Sequence, residues 1–196
     1  MSGEVDKRRR QALIATAGVV GGAGVVAALV PFVESMEPSA KAQAAGAPVE
    51  VDISKLAPGE ELTVEWRGKP VWVLRRTPRM LKTLEEVRDQ LKDPESKQSI
   101  QPEFARNEHR SLKPEYLVVI GICTHLGCAP TFRPDEAPAD LGPQWKGGYF
   151  CPCHGSRYDL AGRVMKGSPA PTNLVVPPYR FLSDTRLLVG AETESA

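Results

Sequence analysis

Net charge is almost absent from this chain: 25 Lys and Arg stand against 24 Asp and Glu over 196 residues, a formal +1. That balance excludes the charge footprint of a nucleic-acid binder or a reader of strongly acidic substrates, so no nucleic-acid partner is expected. Aromatics are scarce at 6%, and 17 Gly with 18 Pro mark a turn-rich chain, yet a 41% hydrophobic share is too high for a disordered one. No internal repeat is found. The length suits one domain of ordinary size, or one domain plus an anchor, and not two large ones. Cysteine and histidine are rare too, with four and three copies. Cys123, Cys128, Cys151 and Cys153 share the window 123–153 with His125 and His154, which implies a site. His109, among Arg106, Asn107, Glu108 and Arg110, is expected in a solvated loop.

One long uncharged run is present. Residues 1–10 form a basic segment ending Lys7-Arg8-Arg9-Arg10, and residues 11–33 carry no charge. As a helix of 1.5 Å rise this run reaches about 34 Å, enough to cross a hydrocarbon core of about 30 Å. Gly18 and Gly22 give it a small-xxx-small face, a weak motif for helix approach. A cleaved signal peptide is the competitor, with Ala40-Lys41-Ala42 as its processing site, but the run is longer than the usual signal core, which favours a retained anchor. Arginines on the N-terminal side place that end in the cytoplasm and the residues after Pro31 outside, where disulfides are permitted. The consecutive arginines partly match a twin-arginine export signal, a route suited to a domain that acquires a metal group before export. Residues 34–48 are small and polar without apolar periodicity, and read as a flexible hinge linker able to extend to about 50 Å.

From residue 49 onward the pattern is that of strands. Val49, Val51 and Ile53 alternate, and Leu62, Val64 and Trp66 precede Arg67-Gly68 and Val71 to Leu74, a hairpin. Thr77-Pro78 reads as an N-cap and first helical position, with Met80, Leu81, Leu84, Val87 and Leu91 at helical spacing up to Asp93-Pro94. Residues 95–114 are polar and read as loop, Tyr116 to Ile120 as a buried strand running into Cys123, and Tyr179 to Leu182 with Arg186 to Val189 as a closing hairpin. The fold class expected is mainly β, an antiparallel-sheet domain over 49–196 with one short helix, preceded by a transmembrane helix and a linker. The 22 residues between Cys128 and Cys151 are expected to form a surface excursion.

The chemistry sits in two boxes, Cys123-Thr124-His125-Leu126-Gly127-Cys128 and Cys151-Pro152-Cys153-His154-Gly155-Ser156. Paired Cys and His on turns imply metal. Structural zinc is the plain alternative, but its ligand pairs favour two to four intervening residues, Cys123 and His125 have one, and six candidates compete for four places.

These boxes resemble those of the Rieske iron-sulfur proteins, in particular the subunit of bacterial cytochrome bc1 complexes, and the likeness runs from the anchor through Lys113-Pro114-Glu115-Tyr116 to the final hairpin. It implies an antiparallel-sheet Rieske domain whose cluster-binding part covers about 121–172 and holds one 2Fe–2S cluster. Cys123 and Cys151 would bind one iron, His125 and His154 the other, and Cys128 with Cys153 would form a disulfide. Two imidazoles in place of two thiolates reduce the negative charge around the cluster and raise its potential. The resemblance assigns Ser156 and Tyr158 as donors toward cluster sulfurs, against the plain readings of a turn-capping serine and a core aromatic. It also makes Gly167-Ser168-Pro169-Ala170-Pro171 the proline loop over the cluster, with Ser168 an addition to the usual order.

The function implied is electron transfer from quinol to cytochrome c1 with proton release, in a dimeric complex whose other subunits include cytochrome b. His154 would contact quinol and Leu126 would form an apolar rim. The localisation implied is the bacterial inner membrane, single-pass, with the C-terminal domain periplasmic. A soluble Rieske ferredoxin is disfavoured by Cys128 and Cys153. The Rieske subunit of an exported molybdenum oxidase of the arsenite-oxidase type, and a zinc-stapled interaction module, are the other readings.

Overall fold

The computed structural model describes residues 6–191. Residues 1–5 of the expected basic segment and the last five residues of the expected 49–196 domain lie outside the described residues. The chain divides into two compact units with the boundary between Ala44 and Ala45.

The first unit is dominated by α1 (Lys7–Glu34), the one helix among the described residues long and apolar enough to cross a membrane. It begins a turn earlier than the uncharged run because Asp6 caps it, its carboxylate accepting from the N–H groups of Arg8 (3.0 Å) and Arg9 (3.3 Å). No residue along it is buried, and Leu13, Ile14, Val19, Val25, Leu29 and Phe32 all stand exposed. A helix apolar on every side needs a non-aqueous surrounding. Residues 34–48 are not wholly irregular, as the sequence suggests. Glu34 closes α1, and an alanine-rich turn, α2 (Ala40–Ala45), forms where Ser39 Oγ accepts from the Ala42 N–H at 3.2 Å. That shortens the reach of the segment to roughly 35 Å.

The second unit contains three antiparallel three-stranded sheets. In the first, β1 (Val49–Asp52) pairs with β9 (Arg186–Val189), which pairs with β8 (Tyr179–Ser183). The second runs β2 (Glu61–Trp66), β3 (Lys69–Arg75) and β4 (Tyr116–Ile120). The third is β5 (Thr131–Glu136), β6 (Lys146–Cys151) and β7 (Ser156–Tyr158). Every side chain of β4 is buried, as its uninterrupted apolar run requires. The expected helix is α3 (Pro78–Glu86), with Thr77 Oγ1 accepting from the Met80 N–H at 3.2 Å. It stops short of Leu91, giving way to a 3₁₀ turn at Arg88–Gln90.

Two expectations are corrected. The interval 129–150 is not a mere excursion: it supplies β5 and β6, and Trp145 and Leu141 pack with Val87, Leu91 and Met165 in a second small core. His109 lies in a turn as expected but is only partly solvated: its Nδ1 is buried with no hydrogen-bond partner, its carbonyl accepts from Arg76, and burial together with the Arg76 charge lowers its pKa.

Residues 95–114 hold their place through buried arginines, for which composition offers no hint. Arg76 donates to the carbonyls of Pro114, His109 and Leu160 and to Ser111 Oγ. Arg110 donates to the carbonyls of Ala161 (3.1 Å), Gly162 (3.3 Å) and Leu174 (2.6 Å) and to Gln101 Oε1 (3.2 Å). Burial lowers both guanidinium pKa values to about 10, so both remain charged. Arg163 is paired with buried Asp159 at 2.7 Å and also donates to the Leu84 carbonyl. The Arg76 and Arg110 bonds tie the polar segment to the chain that continues from β7, and Arg163 ties that chain to α3.

Two stability predictions result. Arg110→Lys keeps the charge but cannot reach four divergent acceptors, so we expect a loss of about 2–4 kcal/mol in chemical denaturation; an unchanged midpoint would contradict this. Tyr149 stacks on Trp72 (centroids 4.9 Å apart, planes within 6°) and donates its hydroxyl to Glu61 Oε2 at 2.8 Å. Burial raises the Glu61 carboxyl from 4.5 to about 7, the Tyr149 bond opposing it. The folded state therefore binds more protons than the unfolded one between those values, and this contribution to stability is lost as pH rises through about 7. Glu61→Gln keeps the acceptor and should flatten the stability profile between pH 5 and 7.

Candidate metal centre

Both boxes fold into the same turn. The Gly127 N–H donates to the Cys123 carbonyl at 3.1 Å, and the Gly155 N–H to the Cys151 carbonyl at 2.9 Å. The two glycines have φ of +84° and +77°, a region where a side chain would strain the backbone. The buried strand β4 delivers the first turn and β6 the second, with β7 returning beside β6 in the register Cys151↔Ser156 and Tyr149↔Tyr158. Gly148 allows this return, since a Cβ there would lie 1.9 Å from the Tyr158 carbonyl oxygen. A disulfide joins Cys128 to Cys153 and so one turn to the other.

Cys123 and Cys151 remain free, at 3% and 1% exposure. The sulfurs of Cys128, Cys151 and Cys153 lie within 4.8 Å of one another, but two of the three are spent on the disulfide, so this trio is not a ligand set. The free pair is ringed by donors. Tyr158 Oη lies 3.2 Å from Cys123 Sγ and accepts from the Thr124 N–H at 3.2 Å, which leaves its own proton for the sulfur. The Thr124 hydroxyl also lies 3.3 Å from Tyr158, but it donates to the Thr172 carbonyl at 2.7 Å. Burial raises the Cys123 thiol, but the Tyr158 hydroxyl, the His125 N–H, Cys151 and the Ser156 hydroxyl together hold it below its ordinary value. Cys151 is raised by burial, against hydrogen bonds from the N–H groups of Cys153 and His154.

The histidine rings meet edge to face with centroids 4.8 Å apart. His125 Nδ1 is buried without a hydrogen-bond partner, a costly state for a ring nitrogen unless a further atom takes its lone pair. The His154 ring is exposed, and Leu126 in the first box is 71% exposed. Two buried sulfurs surrounded by donors, beside two imidazoles of which one holds an orphaned nitrogen, make a donor set that fits a mixed thiolate–imidazole metal cluster.

A family model described as "Rieske [2Fe-2S] domain" matches residues 48–180. The chain belongs to the Rieske family. A second model, "Ubiquitinol-cytochrome C reductase Fe-S subunit TAT signal", matches residues 1–39, where the arginines alone give only a partial twin-arginine pattern. Among relatives named ubiquinol-cytochrome c reductase iron-sulfur subunit, that of Allochromatium vinosum is 60% identical over 192 residues, 98% of this chain and 93% of the relative. Those of Bradyrhizobium diazoefficiens and Rhodospirillum rubrum are each 44% identical, over 93% and 94% of this chain and 94% and 93% of the relatives. As a Rieske protein this chain has one 2Fe–2S cluster as its cofactor.

The Rieske site draws on residues that the sequence did not single out. Thr124, to which the sequence assigns no role, bonds both Tyr158 and the loop at Thr172. Asn173, fully buried, accepts from the Val164 N–H and donates to the Asp93 carbonyl and Ser96 Oγ. No spacing rule marks either one.

The link between turns is testable. Replacing Cys128 and Cys153 together by Ser removes a loop closure of 25 residues, expected to cost about 3 kcal/mol. Thermal unfolding of the double variant, with iron content measured alongside, should show lower stability and faster loss of iron; wild-type values for both would contradict the structural role of the bridge.

Proposed function

We propose that Cys123 and Cys151 hold one iron of the Rieske cluster and His125 and His154 the other, in the iron-sulfur subunit of a quinol–cytochrome c reductase. The observation that carries this is the pair of free, buried, donor-ringed sulfurs next to two orthogonal imidazoles. When bound, the 2Fe–2S cluster supplies a one-electron acceptor of raised potential. Ser156 and Tyr158 stabilise added negative charge by directing hydroxyl protons toward the Cys123 sulfur, favouring reduction. His125 turns its shielded Nδ1 inward. By the same arrangement Nε2 of the exposed His154 accepts the hydrogen bond of the quinol hydroxyl and takes its proton as the electron leaves, coupling the two transfers. Leu126 supports the apolar rim on which the quinol pocket closes.

Cytochrome b and cytochrome c1 are the partners in a dimeric membrane complex. Helix α1 anchors the chain with its basic end in the cytoplasm, which puts the domain on the periplasmic side of the inner membrane and residues 34–48 between the two. An exported location agrees with a disulfide between the ligand turns.

The test is isolation from native membranes. The chain is expected to purify with b- and c-type haems, contain iron and acid-labile sulfide, and be reduced by quinol; recovery as a soluble protein without haems would overturn the assignment. Ser156→Ala and Tyr158→Phe should each lower the midpoint potential while the cluster is retained. An unaltered potential would remove the donor role of the residue concerned.

A further inference from the structure

The proline loop owes its shape to a lysine far from it in sequence. Lys92 Nζ donates to the carbonyls of Ser168 (2.5 Å) and Ala170 (2.9 Å). Those carbonyls belong to the peptide units on either side of the Pro169–Ala170 peptide. Prolines carry no N–H, so Ala170 supplies the one amide hydrogen of residues 169–171. That hydrogen goes to Ser156 Oγ at 3.1 Å. Fixing both flanking carbonyls fixes the direction of the Ala170 N–H, and Pro169 and Pro171 restrict the remaining torsions.

Lys92 is itself held firmly. Its N–H donates to the Val164 carbonyl at 2.9 Å, the Lys166 N–H donates to the Gln90 carbonyl at 2.7 Å, and Leu91 bridges Met165. On its other side, the Asp93 carboxylate accepts from the N–H groups of Lys97 and Gln98 and from Ser99 Oγ, while the Asp93 carbonyl accepts from Asn173. The ammonium thus projects from a segment clamped to both the chain after β7 and the end of the proline loop. A surface lysine serving only solubility would have no need of two converging carbonyls.

The consequence falls on Ser156. With one lone pair of Oγ filled by the Ala170 N–H, its own hydrogen is left for the sulfur side of the strand, where Ser156 stands in register with Cys151. We infer that Lys92 is a positioning residue for the electron-transfer site: by pinning the carbonyls of Ser168 and Ala170 it sets the Ala170 amide and, through it, the hydrogen bond that Ser156 gives toward the cluster. This rests on the donor role of Ser156 proposed above.

The experiment is a double-mutant cycle on the midpoint potential of the full-length protein in membranes, with Lys92→Met, Ser156→Ala, the double variant and Lys92→Arg. Lys92→Met should make reduction about threefold less favourable, half of the ~59 mV that marks tenfold for one electron. Lys92→Arg should restore it, and Lys92→Met should add nothing in the Ser156→Ala background, because both act through one hydrogen bond. A wild-type potential in Lys92→Met, or an equal shift in both backgrounds, would overturn the proposal; the latter would assign the effect to charge alone. An unchanged potential in Ser156→Ala would instead overturn the donor role beneath it. Should Lys92→Met fail to retain the cluster, Lys92→Gln enters the same cycle, together with amide hydrogen exchange at Ala170. Faster exchange than in the wild type is expected, and unchanged exchange would refute the clamp.

Discussion

Two thiol sulfurs, taken out of water and met by N–H and O–H donors instead, are the constraint around which the second unit is organised. Burying a sulfur that is to carry negative charge is costly unless dipoles replace the lost solvent. Here the replacement comes from the turns themselves, through the amides of His125, Cys153 and His154, and from Tyr158 and Ser156 on the returning strand. On the ligation proposed above, the same donors that make a thiolate tolerable inside the protein would make added electron density on a bound cluster more favourable. On that assignment, structural stability and redox tuning rest on one set of bonds.

Such a set works only if it is rigid, and successive layers of structure supply the rigidity. The disulfide joins the turns, Gly148 lets β7 close against β6, Thr124 ties the first turn to Thr172, and Lys92 and Asn173 tie the covering loop to the segment after α3. Beneath them the buried arginines satisfy the carbonyls of Leu160, Ala161 and Leu174, and Arg110 shares that of Gly162 with the Leu174 N–H. A guanidinium suits that task because its donors fan out in a plane and meet several divergent acceptors at once.

What was legible in the sequence was whatever depends on local periodicity or on paired reactive residues. The Cys/His boxes, the Thr77-Pro78 helix start, the apolar run of β4 and the last hairpin are set by short-range chemistry, and the structure places each where the pattern indicates. What escaped was set by long-range satisfaction of polar groups. Arg76, Arg110 and Arg163 look like surface charges until the carbonyls they serve are in view, and His109 looks solvated until Arg76 packs beside it. β5 and β6 lie in or beside a proline-rich interval with no alternation to announce strands, and the alanine-rich α2 was hidden by small-residue composition. Ser168, an addition within the proline loop, ties that loop to β7, its hydroxyl accepting from the Arg157 N–H at 3.0 Å, a contact that no local pattern announces.

On the proposed ligation, two imidazoles and two thiolates from facing turns share a single pair of irons. Pulsed electron paramagnetic resonance on the reduced protein, grown with ¹⁵N-labelled histidine, addresses it directly. Couplings to two inequivalent histidine nitrogens, reduced to one in a His154 variant that retains its iron, are the expected result. A reduced sample with no histidine coupling, or one whose metal proves to be zinc and gives no signal, would contradict the account.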